Sequence, residues 1–222
     1  GEILGIAGVE GNGQTELLEA IAGIRDVTAG TIMLGALDIT RRSVRVRGEA
    51  GLSHIPEDRH RRGLILDYTT AENLILGQQF RYATRGVLDR GAILAHARRQ
   101  IVEYDIRPDD PSLAARALSG GNQQKIVIAR EMSRPFTVLL AAQPTRGVDV
   151  GAIEFIHAEL RKARDDGKAV LLVSAELKEV LTLSDRIAVM YGGRLVAMFP
   201  RREASEEVIG PFMTGASRER VA

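Results

Sequence analysis

Three short stretches carry residues whose types and spacing suit phosphate chemistry. The first is Gly8-Val-Glu10-Gly11-Asn12-Gly13-Gln14-Thr15, running into Glu16-Leu-Leu-Glu-Ala-Ile-Ala22. A glycine-rich turn lets backbone N–H groups wrap a phosphate, and a following helix adds the partial positive charge of its N-terminus. The spacing fits Gly-x4-Gly-Lys-[Ser/Thr] except that Gln14 stands where the lysine belongs. Losing that ammonium removes a charge-assisted hydrogen bond worth about 1.5–3 kcal/mol, roughly 10- to 150-fold in affinity. Thr15 still offers a hydroxyl to Mg²⁺, a weak metal site taken alone.

The second stretch is Leu118-Ser119-Gly120-Gly121-Asn122-Gln123-Gln-Lys125. Ser119 is a good N-cap for the segment that follows, whose apolar face is Ile126, Ala129 and Met132, widened by Ile128. Gly120 and Gly121 leave main-chain donors at the helix start, so this turn also reads as an anion site. The third is Phe136-Thr-Val-Leu-Leu-Ala-Ala142, an apolar run ending in Ala142-Gln143-Pro144-Thr145. Ala142 supplies no ligand, and Gln143 can orient a water without accepting its proton.

These stretches need strands and helices to hold them. Glu2–Gly8, Gly51–Ile55, Phe136–Ala142 and Ala169–Ser174 read as buried strands, Asp185–Tyr191 and Arg194–Phe199 as a hairpin about Gly192-Gly193. Shorter strands are expected at Thr31–Gly35 and Asp38–Ile39. From Thr70 to Met132 the pattern is helical, with pieces at Ala71–Leu76 and Ala92–Tyr104 and a Pro/Asp break at Arg107–Pro111. A further helix fills Val150–Asp166, ended by Gly167, and another Ser205–Met213. Two arginine-rich stretches, Arg41–Arg47 and Arg59-His-Arg-Arg62, read as solvated surface ahead of nucleic-acid contact, since acidic residues are interspersed and aromatics lacking.

Length and composition fit an α/β chain of one large domain or two small ones, with 222 residues, and exclude several other classes. With no cysteine there are neither disulfides nor thiolate metal sites. The four histidines lack ligand spacing. A formal net charge of +1 gives no strong field for a polyanion. No apolar run is long enough to span a bilayer.

Leu118-Ser119-Gly120-Gly121-Asn122-Gln123, together with the glycine turn at Gly8–Thr15, resembles the signature motif and phosphate loop of ABC-transporter nucleotide-binding domains. The Asn-Gln-Gln-Lys ending, Pro-Glu57-Asp58-Arg and Ala-Ala142-Gln143-Pro-Thr-Arg-Gly resemble the importers of simple sugars and nucleosides. The resemblance implies a P-loop ATPase core with a mainly parallel sheet. The core would be 1–69 and 134–213, the signature-bearing helical subdomain 70–133, and a flexible tail 214–222. It also implies antiparallel strands upstream of residue 1. ATP with Mg²⁺ is the implied cofactor, weak or absent in this chain's own site. Gly8, Glu10, Gly11, Asn12, Gly13, Gln14, Thr15 and Glu16 are the implied nucleotide residues. Leu118 to Gln123 would serve the ATP of a partner in trans. Glu57 and Asp58 would form a coupling loop, and Asp149 belongs to the D-loop that reaches a second cassette. At Ala175 the family carries a switch histidine.

Gln14, Ala142, Gln143 and Ala175 are therefore four altered catalytic positions beside an intact glycine scaffold. The reading that follows is a degenerate, C-terminal cassette of a tandem importer subunit. Its implied partners are a second ABC domain, transmembrane permease subunits and an extracytoplasmic substrate-binding protein, with no nucleic acid. Its implied place is the cytoplasmic face of the bacterial inner membrane, as a peripheral protein. Two alternatives stay open: weak hydrolysis in its own site, or a soluble ABC protein acting on nucleic acid or ribosomes.

Overall fold

The computed structural model describes residues 1–217. In chain order its strands and α-helices are β1 (Glu2–Ala7), α1 (Gln14–Ala22), β2 (Met33–Leu34), β3 (Leu37–Asp38), α2 (Val44–Glu49), β4 (Leu52–Ile55), α3 (Thr70–Leu74), β5 (Ala83–Thr84), β6 (Val87–Leu88), α4 (Arg90–Glu103), α5 (Gly120–Met132), β7 (Val138–Ala142), α6 (Val150–Asp165), β8 (Ala169–Val173), α7 (Leu177–Leu183), β9 (Arg186–Tyr191), β10 (Arg194–Pro200) and α8 (Glu206–Met213). They form two compact units. One comprises Gly1–Glu57, Phe136–Pro144 and the chain from His157 onward; the other comprises Asp58–Pro135 and Thr145–Ile156.

The first unit is built on a six-stranded sheet in the order β10-β9-β1-β8-β7-β4. All neighbours are parallel except β10, which turns back antiparallel on β9. Unbroken apolar runs such as Val-Leu-Leu-Ala-Ala in β7 suit this sheet because parallel strands are covered on both faces. Ile6, Leu18, Leu140, Val173 and Met190 form one core cluster, and Val180, Ile187, Phe199 and Ile209 another. The expected strands at Thr31–Gly35 and Asp38–Ile39 shrink to the two-residue hairpin β2–β3.

Arg41–Arg47 is not wholly solvated surface. Arg47 is 3% exposed and directs its guanidinium at backbone carbonyls. Its Nη1 donates to Ala20 O and Ile21 O at 2.6 Å each, Nη2 to Thr40 O at 2.9 Å, and Nε to Arg42 O at 2.9 Å. One guanidinium thus satisfies the C-terminal carbonyls of α1, which a helix cannot satisfy itself.

In the second unit α3 packs on α4 and α5. Three polar caps start these helices: a Thr69–Glu72 capping box, Asp89 accepting from Ala92 N at 2.9 Å, and Ser119 at α5. The helix expected at Ala92 begins at Arg90 because Asp89 caps it. The helical pattern expected throughout 70–132 is interrupted by the antiparallel hairpin β5–β6, which the segment's helical composition hid. His96 is buried against Tyr82, ring centroids 5.2 Å apart. Of the expected tail, Gly215, Ala216 and Ser217 are held by backbone bonds to Phe212 and Pro211. Residues 218–222 lie outside the described residues.

Arg47→Met removes the side-chain donor from four carbonyls, of which Ala20 O keeps only Gly23 N among the backbone donors described, and is expected to destabilise the chain by about 2–4 kcal/mol, read from urea midpoints. Burial, with Arg99 and Arg81 nearby, holds the His96 pKa below its usual value. The folded state therefore binds this proton less readily than the unfolded one. Its contribution is complete above about pH 6.5 and is lost as pH falls through the depressed folded value. Unfolding midpoints are expected to drop on acidification from neutral pH, with a shallower drop in His96→Phe.

Candidate functional site

The glycine loop leaves the end of β1 and enters α1, and it is shaped by a single carbonyl. Val9 O accepts from Asn12 N at 3.2 Å, Asn12 Nδ2 at 2.9 Å and Gln14 Nε2 at 3.2 Å. The β9–β10 turn braces the loop from the other side. Gly192 N donates to Asn12 Oδ1 at 2.8 Å, and Gly193 N to Asn12 O at 2.9 Å. Gly13 sits at φ 103°, in the left-handed region, and a Cβ there would meet Met190 Cε at 3.0 Å and Gly193 Cα at 3.2 Å. Both facts demand glycine. No side chain caps α1, so its first amides remain available to an anion.

Gln14 is 8% exposed, folded back over Gly8 toward Val9 O rather than reaching outward. It fills part of the cradle and brings no charge. Glu10, Gly11, Thr15 and Glu16 are exposed around it. Thr15 Oγ1 donates to Glu57 Oε2 at 3.0 Å, so the residue expected to act in a coupling loop stands at the mouth of the phosphate loop. Two hard oxygens thus come together, one a carboxylate.

At the ends of β7 and β8, Gln143 and Ala175 also meet. Gln143 adopts φ 47° and donates its N–H to Val173 O at 2.7 Å, while its Oε1 accepts from Ala175 N at 2.9 Å. The side-chain carbonyl that was expected to orient water is therefore engaged with backbone. Ala142 is buried and carries no oxygen ligand. Among the described residues no group of three or more His, Cys, Asp or Glu can hold a metal ion. Mg²⁺ fits this set poorly: Thr15 and Glu57 supply two of the six oxygens it demands.

The second unit carries the Ser119–Gly120–Gly121 turn. Ser119 is exposed and its Oγ accepts from Asn122 Nδ2 at 2.9 Å and Asn122 N at 3.4 Å. Asn122 is thus a brace and, through Oδ1, accepts from Arg107 N at 2.7 Å. Leu118 is buried. The glycines answer a steric demand as well as offering donors. A Cβ on Gly120 would lie 2.8 Å from Arg59 Nη2 and 3.0 Å from Gly147 O; one on Gly121 would lie 2.7 Å from Asp149 Oδ2. Asp149, placed by the sequence in a loop reaching outward, caps α6 through Ala152 N at 2.9 Å.

The basic cluster 59–62 is not solvated throughout, and Arg59 is the residue the sequence reading missed. Its Nη1 donates to Arg146 O at 2.8 Å and its Nη2 to Gly147 O at 3.2 Å. Burial lowers its pKa, partly opposed by Asp58. Asp58 Oδ1 accepts from His60 N at 2.9 Å and Arg61 N at 3.0 Å, and the Arg61 bond foremost holds its carboxyl below the usual range. His60 Nε2 lies 2.7 Å from Gln123 Oε1, and Gln123 Nε2 donates to Ala115 O at 3.0 Å. Segment 58–63 is thereby tied to α5. Only the Pro-Glu-Asp-Arg spacing hinted at this.

A carboxylate at the mouth of a cradle without lysine repels phosphate. Glu57→Gln is expected to strengthen metal-free nucleotide binding by about three- to tenfold, read by titration calorimetry in the presence of chelator. An unchanged or weaker affinity would show that Glu57 does not oppose the anion.

The family model described as "ABC transporter" matches residues 1–146. Over 221 residues the chain is 50% identical to the guanosine import ATP-binding protein NupO of Bacillus subtilis, covering 99% of this chain and 43% of that protein. It is 47% identical to the nucleoside import ATP-binding protein NupA of Lactococcus lactis (98% and 43% covered), and 37% to the ribose import ATP-binding protein RbsA of Geobacillus kaustophilus (98% and 44%). The chain therefore spans less than half the length of these curated relatives. In fold it is similar to the dimeric post-hydrolysis structure of the ATP-binding cassette MJ0796, with a TM-score of 0.77 at 24% identity, covering 90% of this chain and 86% of that one. The mainly parallel sheet, the glycine loop between β1 and α1, the Ser-Gly-Gly helix start and the match over residues 1–146 lead to one conclusion: the chain belongs to the ABC transporter family.

Proposed function

We propose that this chain is an ATP-binding cassette of an importer for nucleosides or simple sugars, in which its own nucleotide site is degenerate. Its Ser119-Gly120-Gly121 turn completes the ATP site of a second cassette. The names of the relatives, guanosine, nucleoside and ribose import proteins, support the substrate class. Permease subunits and an extracytoplasmic binding protein are the further partners, and the cytoplasmic face of the membrane is the place of work. No helix among the described residues is long and apolar enough to cross a bilayer.

One contrast supports the reading: the two loci offer a phosphate different things. In the glycine loop Gln14 turns inward onto Val9 O, while past the end of β7 Ala142 offers no ligand and Gln143 is tied to Ala175. The signature turn, by contrast, keeps its cap, its glycines and an exposed Ser119. Loss of cation, metal ligand and base removes charge stabilisation that is worth orders of magnitude in rate. A preserved donor turn is useful to a nucleotide held elsewhere.

The weak-hydrolysis alternative finds limited support in the Thr15–Glu57 oxygen pair. It also needs Gln143 to accept a hydrogen bond from water with a carbonyl already engaged by Ala175.

Ser119→Arg places a long side chain over the donors while leaving the packed glycines alone. In the intact transporter it is expected to lower ATP turnover by roughly a hundredfold or more, on the scale of removing a transition-state donor. Turnover equal to the parent protein would refute the in-trans role.

A further inference from the structure

The β5–β6 hairpin of the second unit leaves apolar side chains in water. Val87 is 72% exposed, Leu88 46%, and Phe80, just before the hairpin, 46%. Single exposed apolar residues are ordinary, but here three fall within nine positions, with Val87 and Leu88 on opposite faces of β6. The two strands have two residues each, far too short to be stable by their own pairing. The hairpin is anchored instead at its base, where Asp89 N donates to Tyr82 O at 2.8 Å.

Charge is the second observation. From Gln78 to Arg99 the chain carries Arg81, Arg85, Arg90, Arg98 and Arg99 against one carboxylate, Asp89. All five arginines are exposed. Asp89 is engaged as the cap of α4, accepting from Ala92 N at 2.9 Å. Arg81 and Arg99 both bear on the Tyr82 and His96 rings, so they converge at the hairpin base, and Arg85 occupies its turn at φ 51°. Glu103 faces His96 and Glu72 faces Arg90. Neither lies in the hairpin.

We infer that the β5–β6 hairpin, which exposes Phe80, Val87 and Leu88 with Arg85 at its turn and Arg81 and Arg99 at its base, docks edge-on on an anionic lipid surface. A lipid interface takes both features at once: apolar side chains enter the acyl boundary while cations meet headgroup phosphates. A nucleic-acid backbone would use the arginines and leave Val87 and Leu88 in water. A protein partner would need acidic side chains matched to arginines spread over a turn, a helix and a hairpin base. The inference stands apart from the import reading, which survives its failure.

The test is flotation of the whole chain with phosphatidylcholine vesicles, with or without phosphatidylglycerol, at low and high ionic strength. Retention is expected only with phosphatidylglycerol and is expected to weaken as salt rises. The triple variant R81Q/R85Q/R99Q is expected to lose roughly a hundredfold in partitioning, at about fivefold per arginine. V87D/L88D is expected to lose about tenfold or more, its side chains being exposed and its circular dichroism unchanged. Overturning results are no retention on anionic vesicles, equal retention on neutral ones, or undiminished retention in both variants. Loss in the arginine variant alone would mark a general polyanion site and overturn the lipid assignment.

Discussion

Parallel register governs where the first unit keeps its polar groups. Ile6 lies beside Val173, Val173 beside Ala142, and Ile55 beside Ala141, so β1, β8, β7 and β4 all end along one edge of the sheet. Loops at the carboxyl ends of parallel strands are where open α/β sheets gather ligands. Here that edge collects the glycine loop, Ala175, Gln143 and Glu57. Because the strands are covered on both faces, their sequences are apolar runs that cannot supply chemistry. Polar function is confined to the few residues just past each strand.

The two loci hold their shapes by different means. The glycine loop closes on Val9 O, with Asn12 and Gln14 as side-chain donors and the Gly192–Gly193 turn as buttress. A neutral glutamine can therefore stabilise the loop's form where a lysine would supply charge to a ligand. Arg47 fixes the opposite end of α1. In the second unit the Ser119 turn is pinned sterically, with Arg59, Gly147 and Asp149 against two glycines that have no room for a Cβ. Shape and charge are separable, and the glycine loop holds its form with a neutral glutamine at position 14.

Much of this was legible in the chain because the strands are long apolar runs and the loops carry glycines at fixed spacing. The sheet strands around Gly8, Ala142 and Ser174 follow from hydrophobic pattern, and Ser119 as a cap follows from residue type. What escaped was long-range polar pairing. Arg47 and Arg59 look like solvated arginines because nothing local in the sequence shows that carbonyls up to 88 residues away await them. The Thr15–Glu57 contact spans 42 residues and required the strand register to be known. The β5–β6 hairpin was hidden inside a helical composition, its strands too short for alternation to register. By residue type Gln143 can orient water, and only the neighbouring strand end shows its carbonyl engaged by Ala175.

On the proposed function, the chain keeps a phosphate-shaped loop without the means to turn over its contents. Steady-state ATP hydrolysis by this chain alone, with saturating Mg²⁺, tests that most directly. Turnover indistinguishable from the uncatalysed background is the expected result. Hydrolysis at an ordinary enzymatic rate, roughly 1 s⁻¹ or more, would contradict it.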